Sequence, residues 1–249
     1  MGKFRQLVSL VSLLMASGVT GAFAGGSSPG AKGIVWYSGV EVTENAWFSY
    51  SGGLLSASGD LALPGITFNA AIGGGKYDYK TLAVASGNVD VDYLTGHVLV
   101  GYTGIFDKLW LGLYGGVDFQ RHDLDVFDPT NSVNGSETGA KLVVEVLTVG
   151  TTDFYFDVYG SYSTAFDTYF TRLQLGPIVQ GVKFGPEAVL LGDEEWNGQR
   201  IGGFVKVPVN LAPGFESGTL SFSAGYQFSD DARQSADGAY GTIQIKFLR

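Results

Sequence analysis

The 249-residue chain has no cysteine, and its 24 acidic and 15 basic side chains give a formal net charge of −9. That balance argues against a nucleic-acid partner, whose phosphates call for a basic face, and the missing thiols exclude disulfide staples and thiolate chemistry. Glycine reaches 38 residues and aromatics 14%, while charged residues stay at 16%, less than a soluble secreted domain usually carries.

The chain opens with Lys3 and Arg5, an apolar run from Leu7 to Val19, and Ala22-Phe23-Ala24. A charged start, a short greasy stretch and a small-x-small ending mark a secretory signal peptide, here 1–24. The run is too short for a stable membrane span. Losing Lys3 and Arg5 takes the net charge from −9 to about −11. Residues 25–32 (GGSSPGAK) have the composition of a flexible tail, and 33–249 are read as one domain.

From Ile34 to Phe247 the sequence alternates between apolar and polar or small residues. The clearest case is 219–228, where Leu220, Phe222, Ala224, Tyr226 and Phe228 share one face. In 239–247, Ile243, Ile245 and Phe247 oppose Thr242, Gln244 and Lys246. Successive strand side chains point to opposite faces, so each segment has a greasy and a wet side. Twelve strands are predicted, at 33–42, 45–56, 64–76, 90–102, 108–120, 137–149, 152–163, 167–178, 181–192, 198–208, 218–228 and 238–248. Most match the roughly 9–11 residues that a tilted strand needs to cross a bilayer.

The connections sort by parity. Long polar segments, 77–89, 121–136 and 229–237, follow odd-numbered strands, whereas 103–107, 150–151 and 179–180 are tight. The segment 209–217 is long for its set. Long loops on one side and short turns on the other, with an even strand number, fit a bacterial outer-membrane barrel. In lipid a sheet must close on itself to pair its backbone groups. The expectation is therefore an all-β, closed, antiparallel up-and-down transmembrane β-barrel in the outer membrane. Phe154, Phe156 and Val158 are expected to face lipid. Trp36, Trp47, Trp110, Tyr169 and Tyr226 are candidates for the interfacial aromatic girdles.

Charge collects on the opposite faces. Alternation places Asp118, Lys141, Glu145, Asp157, Arg172, Lys183, Glu187, Arg200 and Lys206 inward. Both signs occur, as buried charges require if they are to pair. The structural reading is a salt-bridge plug, and the functional one is a polar lining met by a solute. Lys141, Glu145, Asp157, Arg172, Glu187 and Arg200 are the lumen residues singled out. Tyr102, Tyr114, Tyr155 and Tyr159 are further inward or rim candidates, since aromatic faces stack on the C–H faces of sugars.

Signals for catalysis and metal binding are weak. His97 sits in a strand and His122 at the mouth of the longest loop, with no G-x-S-x-G elbow and no serine at a suggestive spacing. A lipid-modifying hydrolase built on either histidine is the enzymatic alternative, and no enzyme is expected. Asp123, Asp125 and Asp128 alternate, and Asp230 and Asp231 are adjacent, but no calcium-loop pattern is present, so these are read as solvated loop acids. Gly73-Gly74-Gly75 is read as a bend or bulge. No cofactor and no metal are expected.

Several segments together resemble a known family. They include Trp36-Tyr37-Ser38-Gly39, Asp128-Pro129, Asn131-Ser132-Val133, Gly135-Ser136-Glu137 and Gly139-Ala140-Lys141. Ser161–Asp167 (SYSTAFD), Gly185-Pro186-Glu187, Gln199–Phe204 (QRIGGF), Phe222–Asp231 (FSAGYQFSDD) and Gly238-Ala239-Tyr240-Gly241 complete the set. In this order they resemble the cellulose biosynthesis protein BcsS family of proteobacteria, over nearly the whole domain. The resemblance implies an envelope accessory of bacterial cellulose production, acting in export, anchoring or organisation of the polysaccharide. It carries no catalytic residues over. Its implied partners are outer-membrane lipid and cellulose or other cellulose-secretion components. Arg121, Asp128, Asn131 and Glu137, polar and on the outward loop side, are the candidate glycan contacts. The alternative is a general porin or small-solute channel.

Overall fold

The computed structural model describes residues 32–150, 153–209, 217–229 and 237–249. The expected signal peptide and all but the last residue of the tail lie outside them. So do Asp230, Asp231 and the interior of the long 209–217 segment.

The described residues form Lys32–Val42 (β1), Ala46–Asp60 (β2), Gly65–Lys80 (β3), Asn88–Phe106 (β4), Leu109–Leu124 (β5) and Gly135–Thr148 (β6). Phe154–Ser163 (β7), Tyr169–Val179 (β8), Val182–Gly192 (β9), Asn197–Val209 (β10), Ser217–Ser229 (β11) and Gly238–Leu248 (β12) follow, with a 3-10 turn at Ala165–Asp167 before β8. Each strand pairs antiparallel with its sequence neighbours, and β1 pairs with β12 from Val35 opposite Leu248 to Val42 opposite Gly241. The barrel is closed and leaves no edge to satisfy in lipid.

The period of two sorts every strand into a wall face and a lumen face. On the wall, Val98, Val100 and Tyr102 of β4, Leu113 and Val117 of β5 and Leu142 and Val144 of β6 are exposed. Trp36, Phe154, Tyr226 and Phe228 share that face. So large an apolar surface is stable against hydrocarbon, not water. On β4 it runs from Leu94 to Phe106, about 30 Å along the barrel axis at ~3.3 Å per residue and a tilt of ~40°.

Strands β3, β4 and β5 outrun their predicted spans. Residues 77–80, 88–89 and 121–124, expected in loops, continue the ladder, with Tyr79 opposite Val89 and Tyr93 opposite His122. The wall face turns charged at this boundary, with the pairs Lys76–Asp92 (2.6 Å) just before it and Arg121–Asp123 (2.7 Å) beyond it. Both faces of this extension leave the apolar band, so its alternation reads as loop composition in the sequence.

Two expectations are corrected here. Trp110 is only 1% exposed and shares the lumen face of β5 with Tyr114 and Asp118, so it belongs to no girdle. Gly73-Gly74-Gly75 holds a continuous register against both β2 and β4, with no bulge. A Cβ at Gly73 would lie 2.6 Å from the Phe48 ring, so a glycine there makes room for that ring.

The lumen is filled at the end that carries the two termini. Val35, Leu54, Leu61, Trp110, Leu147 and Leu248 pack there, with Tyr37, Leu99, Tyr114, Val143 and Tyr159 above them. Tyrosines cover cross-strand glycines in this layer. A Cβ at Gly52 would meet the Tyr37 hydroxyl at 2.5 Å, and one at Gly39 the Tyr50 ring at 2.6 Å. Beside this apolar wedge, β7, β8 and β10 supply an ionic cluster. Asp157 pairs with Lys206 (3.0 Å) and Arg172 (3.4 Å). Tyr155 donates to Asp157 (2.6 Å) and accepts from Lys206 (2.6 Å). Lys183 stands 4.8 Å from the Tyr155 ring centroid. Glu145 and Lys246 are buried on the same lumen face.

Candidate functional site

Above this filled half the lumen opens into a cavity of about 330 Å³. Its lower wall is charged, and opposite charges there pair with one another. Lys141 bonds Asp118 at 3.1 Å. Glu187 accepts hydrogen bonds from Gln174, Ser223 (2.9 Å) and Tyr240 (2.9 Å). Arg200 donates to Glu41 (2.7 Å) and Gln227 (2.7 Å) and lies 5.1 Å from the Tyr240 ring centroid.

Aromatic side chains ring the upper wall. The extended ends of β3, β4 and β5 deliver Tyr77, Tyr79, Tyr93 and His122, with Phe48 of the adjacent β2 beside Tyr93, and the β9–β10 loop contributes Trp196. Tyr93 and His122 have ring centroids 4.5 Å apart, and the Tyr77 hydroxyl is 3.0 Å from His122 Nδ1. Trp196 Nε1 donates to Ser229 Oγ at 2.7 Å, which fixes its indole at the rim.

The loops at this end are tied to one another. Ser132 bonds Glu195 through its N–H (3.2 Å) and hydroxyl (2.5 Å), joining the β5–β6 and β9–β10 loops. Glu194 N–H donates to the Phe166 carbonyl (3.0 Å), and Phe166 N–H donates to Glu137 (2.9 Å). Asp193 accepts from the N–H groups of Glu195 (2.8 Å) and Trp196 (2.9 Å). Burial pushes the Asp193 carboxyl up to about 6, against those two bonds and with help from Glu195 and Glu194.

The residues expected to contact glycan divide. Arg121 points outward from the β5 wall toward Asp123, away from the cavity. Glu137 tethers the Phe166 turn. Asp128 is not a solvated loop acid. It is 0% exposed and accepts from Tyr79 (3.1 Å) and from the N–H (2.8 Å) and hydroxyl (2.7 Å) of Thr130. Burial pushes its carboxyl up, but hydrogen bonds from Thr130, Tyr79 and Thr81 outweigh that and hold it below the usual range. Asn131 lines the cavity and donates to the Tyr79 hydroxyl at 2.8 Å.

Of the lumen residues, Lys141, Arg172, Glu187 and Arg200 line the cavity. Glu145 and Asp157 lie below it in the filled half, outside its lining. Sequence reasoning missed Tyr77, Tyr79, Tyr93 and Trp196. For Tyr77 and Tyr79 the signal was the alternation persisting beyond the predicted end of the third strand, and for Tyr93 its parity with His97 within the fourth. Among the described residues no group of three or more His, Asp or Glu side chains could hold a metal ion.

The family model for "Cellulose biosynthesis protein BcsS" matches residues 35–249. The chain belongs to this family. It is an outer-membrane barrel, so the filled half with the short turns faces the periplasm and the cavity opens at the cell surface. Among solved structures, KdgM porin is similar at 8% identity, over 86% of this chain and 99% of that one, with a TM-score of 0.44. CdiB from Acinetobacter baumannii matches at 10% identity over 88% of this chain and 60% of that one, TM-score 0.37. The beta domain of the Bordetella autotransporter Brka matches at 14% identity over 88% and 100%, TM-score 0.45. At such identities nothing about substrate or partner passes to this chain. No curated protein matches the sequence.

Proposed function

We propose that this barrel holds cellulose at the cell surface, with the outer cavity as a glucan-binding vestibule, and that it works without chemistry. The carrying observation is the contrast within one lumen, filled by Trp110, Tyr114 and Tyr159 toward the periplasm and open among aromatic rings toward the outside. A β-linked glucan presents apolar C–H faces and a rim of hydroxyls. Tyr77, Tyr93 and Trp196 offer ring faces with negative charge density, and Asn131, Glu41 and Gln227 offer hydrogen-bonding partners beside them.

The filled inner half speaks for anchoring or organisation over passage of the polymer. It equally disfavours a small-solute channel. Among the described residues His97 and His122 have no serine hydroxyl as a hydrogen-bond partner, which supports a non-enzymatic role. The test is binding of cello-oligosaccharides to the purified barrel, followed by Trp196 fluorescence. Saturable binding that Trp196→Phe and Tyr93→Ala weaken is expected, together with loss of surface cellulose in cells carrying the double variant. Absence of binding by the folded wild type would overturn the proposal.

A further inference from the structure

The vestibule wall carries two polar atoms that the folded chain leaves unused. Gln120 is 1% exposed and His122 4%, both line the cavity, and they sit two apart on the lumen face of β5. Gln120 Nε2 lies 2.8 Å from Asp118 Oδ2, 3.3 Å from the Ala165 carbonyl and 2.6 Å from Thr168 Oγ1. Turning the amide over would set its oxygen against the Asp118 carboxylate and a carbonyl, two acceptors. The orientation is therefore dictated, and Gln120 Oε1 is left as an acceptor with no partner among the described residues. His122 uses Nδ1 on Tyr77, and its Nε2 has no partner among the described residues either.

Buried polar groups without partners cost free energy, and native proteins keep few. Here the surroundings hold the unused atoms in place. Phe166 adopts φ 51°, in the left-handed region that bulky side chains avoid, and its ring lies edge-on to His122 with centroids 5.0 Å apart. Tyr93 packs on the same imidazole at 4.5 Å. Backbone strain of this kind clusters at ligand sites, where the surroundings over-determine it.

Resting on the glucan reading above, we infer that Gln120 and His122 form a hydroxyl-reading subsite for the terminal sugar of a β-glucan chain. A sugar hydroxyl both donates and accepts. Gln120 Oε1 and His122 Nε2 have almost no accessible surface in this structure, so a small rotation of the two side chains accompanies binding; the hydroxyl then donates to Gln120 Oε1 and complements His122 Nε2 in either tautomer. A terminus is specified because the vestibule is blind, with Tyr50, Lys141 and Arg172 in its lining and the apolar wedge beneath. Its volume of about 330 Å³ lies at the low end of small-ligand sites, so it admits a short saccharide or a chain end, not the middle of a polymer.

The experiment compares the intact folded barrel in lipid nanodiscs with His122→Phe. The probes are cellobiose, cellotriose, cellotetraose and cellohexaose, read by calorimetry. The variant keeps a ring packed between Tyr93 and Phe166 and removes Nε2, together with the Nδ1 bond to Tyr77. A drop in affinity of at least about tenfold is expected, with thermal unfolding close to that of the wild type, because loss of the Tyr77 hydrogen bond is offset by removal of an unpartnered buried atom. Affinity is expected to level off by cellotetraose. Equal affinity in variant and wild type would overturn the subsite while leaving the glucan-binding vestibule standing. A steady rise through cellohexaose would overturn recognition of a terminus. If the wild type binds none of the four, the glucan reading itself falls.

Discussion

The two halves of the lumen use the same residue types differently. Toward the periplasm, tyrosines and a tryptophan are pressed against glycines, and charges are locked to one another, as in Asp157 with Lys206 and Arg172. Toward the cell surface, tyrosines stand around open space, and polar atoms such as Gln120 Oε1 and His122 Nε2 await partners. Packing is dense and charges are neutralised in the first region, whereas the second keeps open space between its rings. The difference teaches that the inner half serves stability and closure, and the outer half serves recognition.

The largest expected contrast comes from removing one tryptophan in each half. Trp110→Ala leaves a cavity in the wedge and should lower unfolding free energy by about 3–5 kcal/mol. Trp196→Ala at the rim removes one hydrogen bond to Ser229, and should cost about 1 kcal/mol. Urea titration of the barrels in lipid vesicles compares them, and equal losses would erase the distinction between the halves.

Asp157→Ala should come next, at about 3 kcal/mol, because it strands the buried Lys206 and Arg172. The double variant Asp157→Ala/Lys206→Met should recover part of that loss in the same titration. Gly52→Val should cost about 1–3 kcal/mol by driving a side chain into the Tyr37 hydroxyl. A lowered temperature for the folded-to-unfolded band shift on unheated gels would register it.

The smallest effect is a pH dependence at the vestibule mouth. The folded pKa of Asp193 is raised from 3.8 to about 6. A raised carboxyl stabilises the folded turn while it is neutral, so that contribution is full below the unfolded value and lost as pH rises through about 6. The Glu194 amide, which bonds the Phe166 carbonyl and not Asp193, should therefore exchange faster with solvent, after correction for intrinsic rates, as pH climbs from 4 to 7. Asp193→Asn should flatten the trend.

The sequence disclosed the barrel well because closure in lipid imposes one rule on every strand. Leu220, Phe222 and Phe228 had to share a face, and the strands had to be even in number for the termini to meet. The vestibule was less legible. Tyr77, Tyr79 and His122 rise above the hydrocarbon, where both faces of a strand are wet, so alternation no longer separates strand from loop. Trp110 misled because an aromatic near a strand end suits a girdle, while its parity with Tyr114 and Asp118 already placed it inward. Asp128 read as a solvated acid because its partners Tyr79 and Thr130 come from a loop fold that no local pattern encodes.

Single-barrel electrical recording in a planar lipid bilayer tests the closed inner half most directly. Insertion of the folded protein should add no steady current at moderate voltage in molar salt. Stable, ohmic conductance steps from the unmodified chain would contradict the sealed lumen and, with it, the case for surface holding over passage.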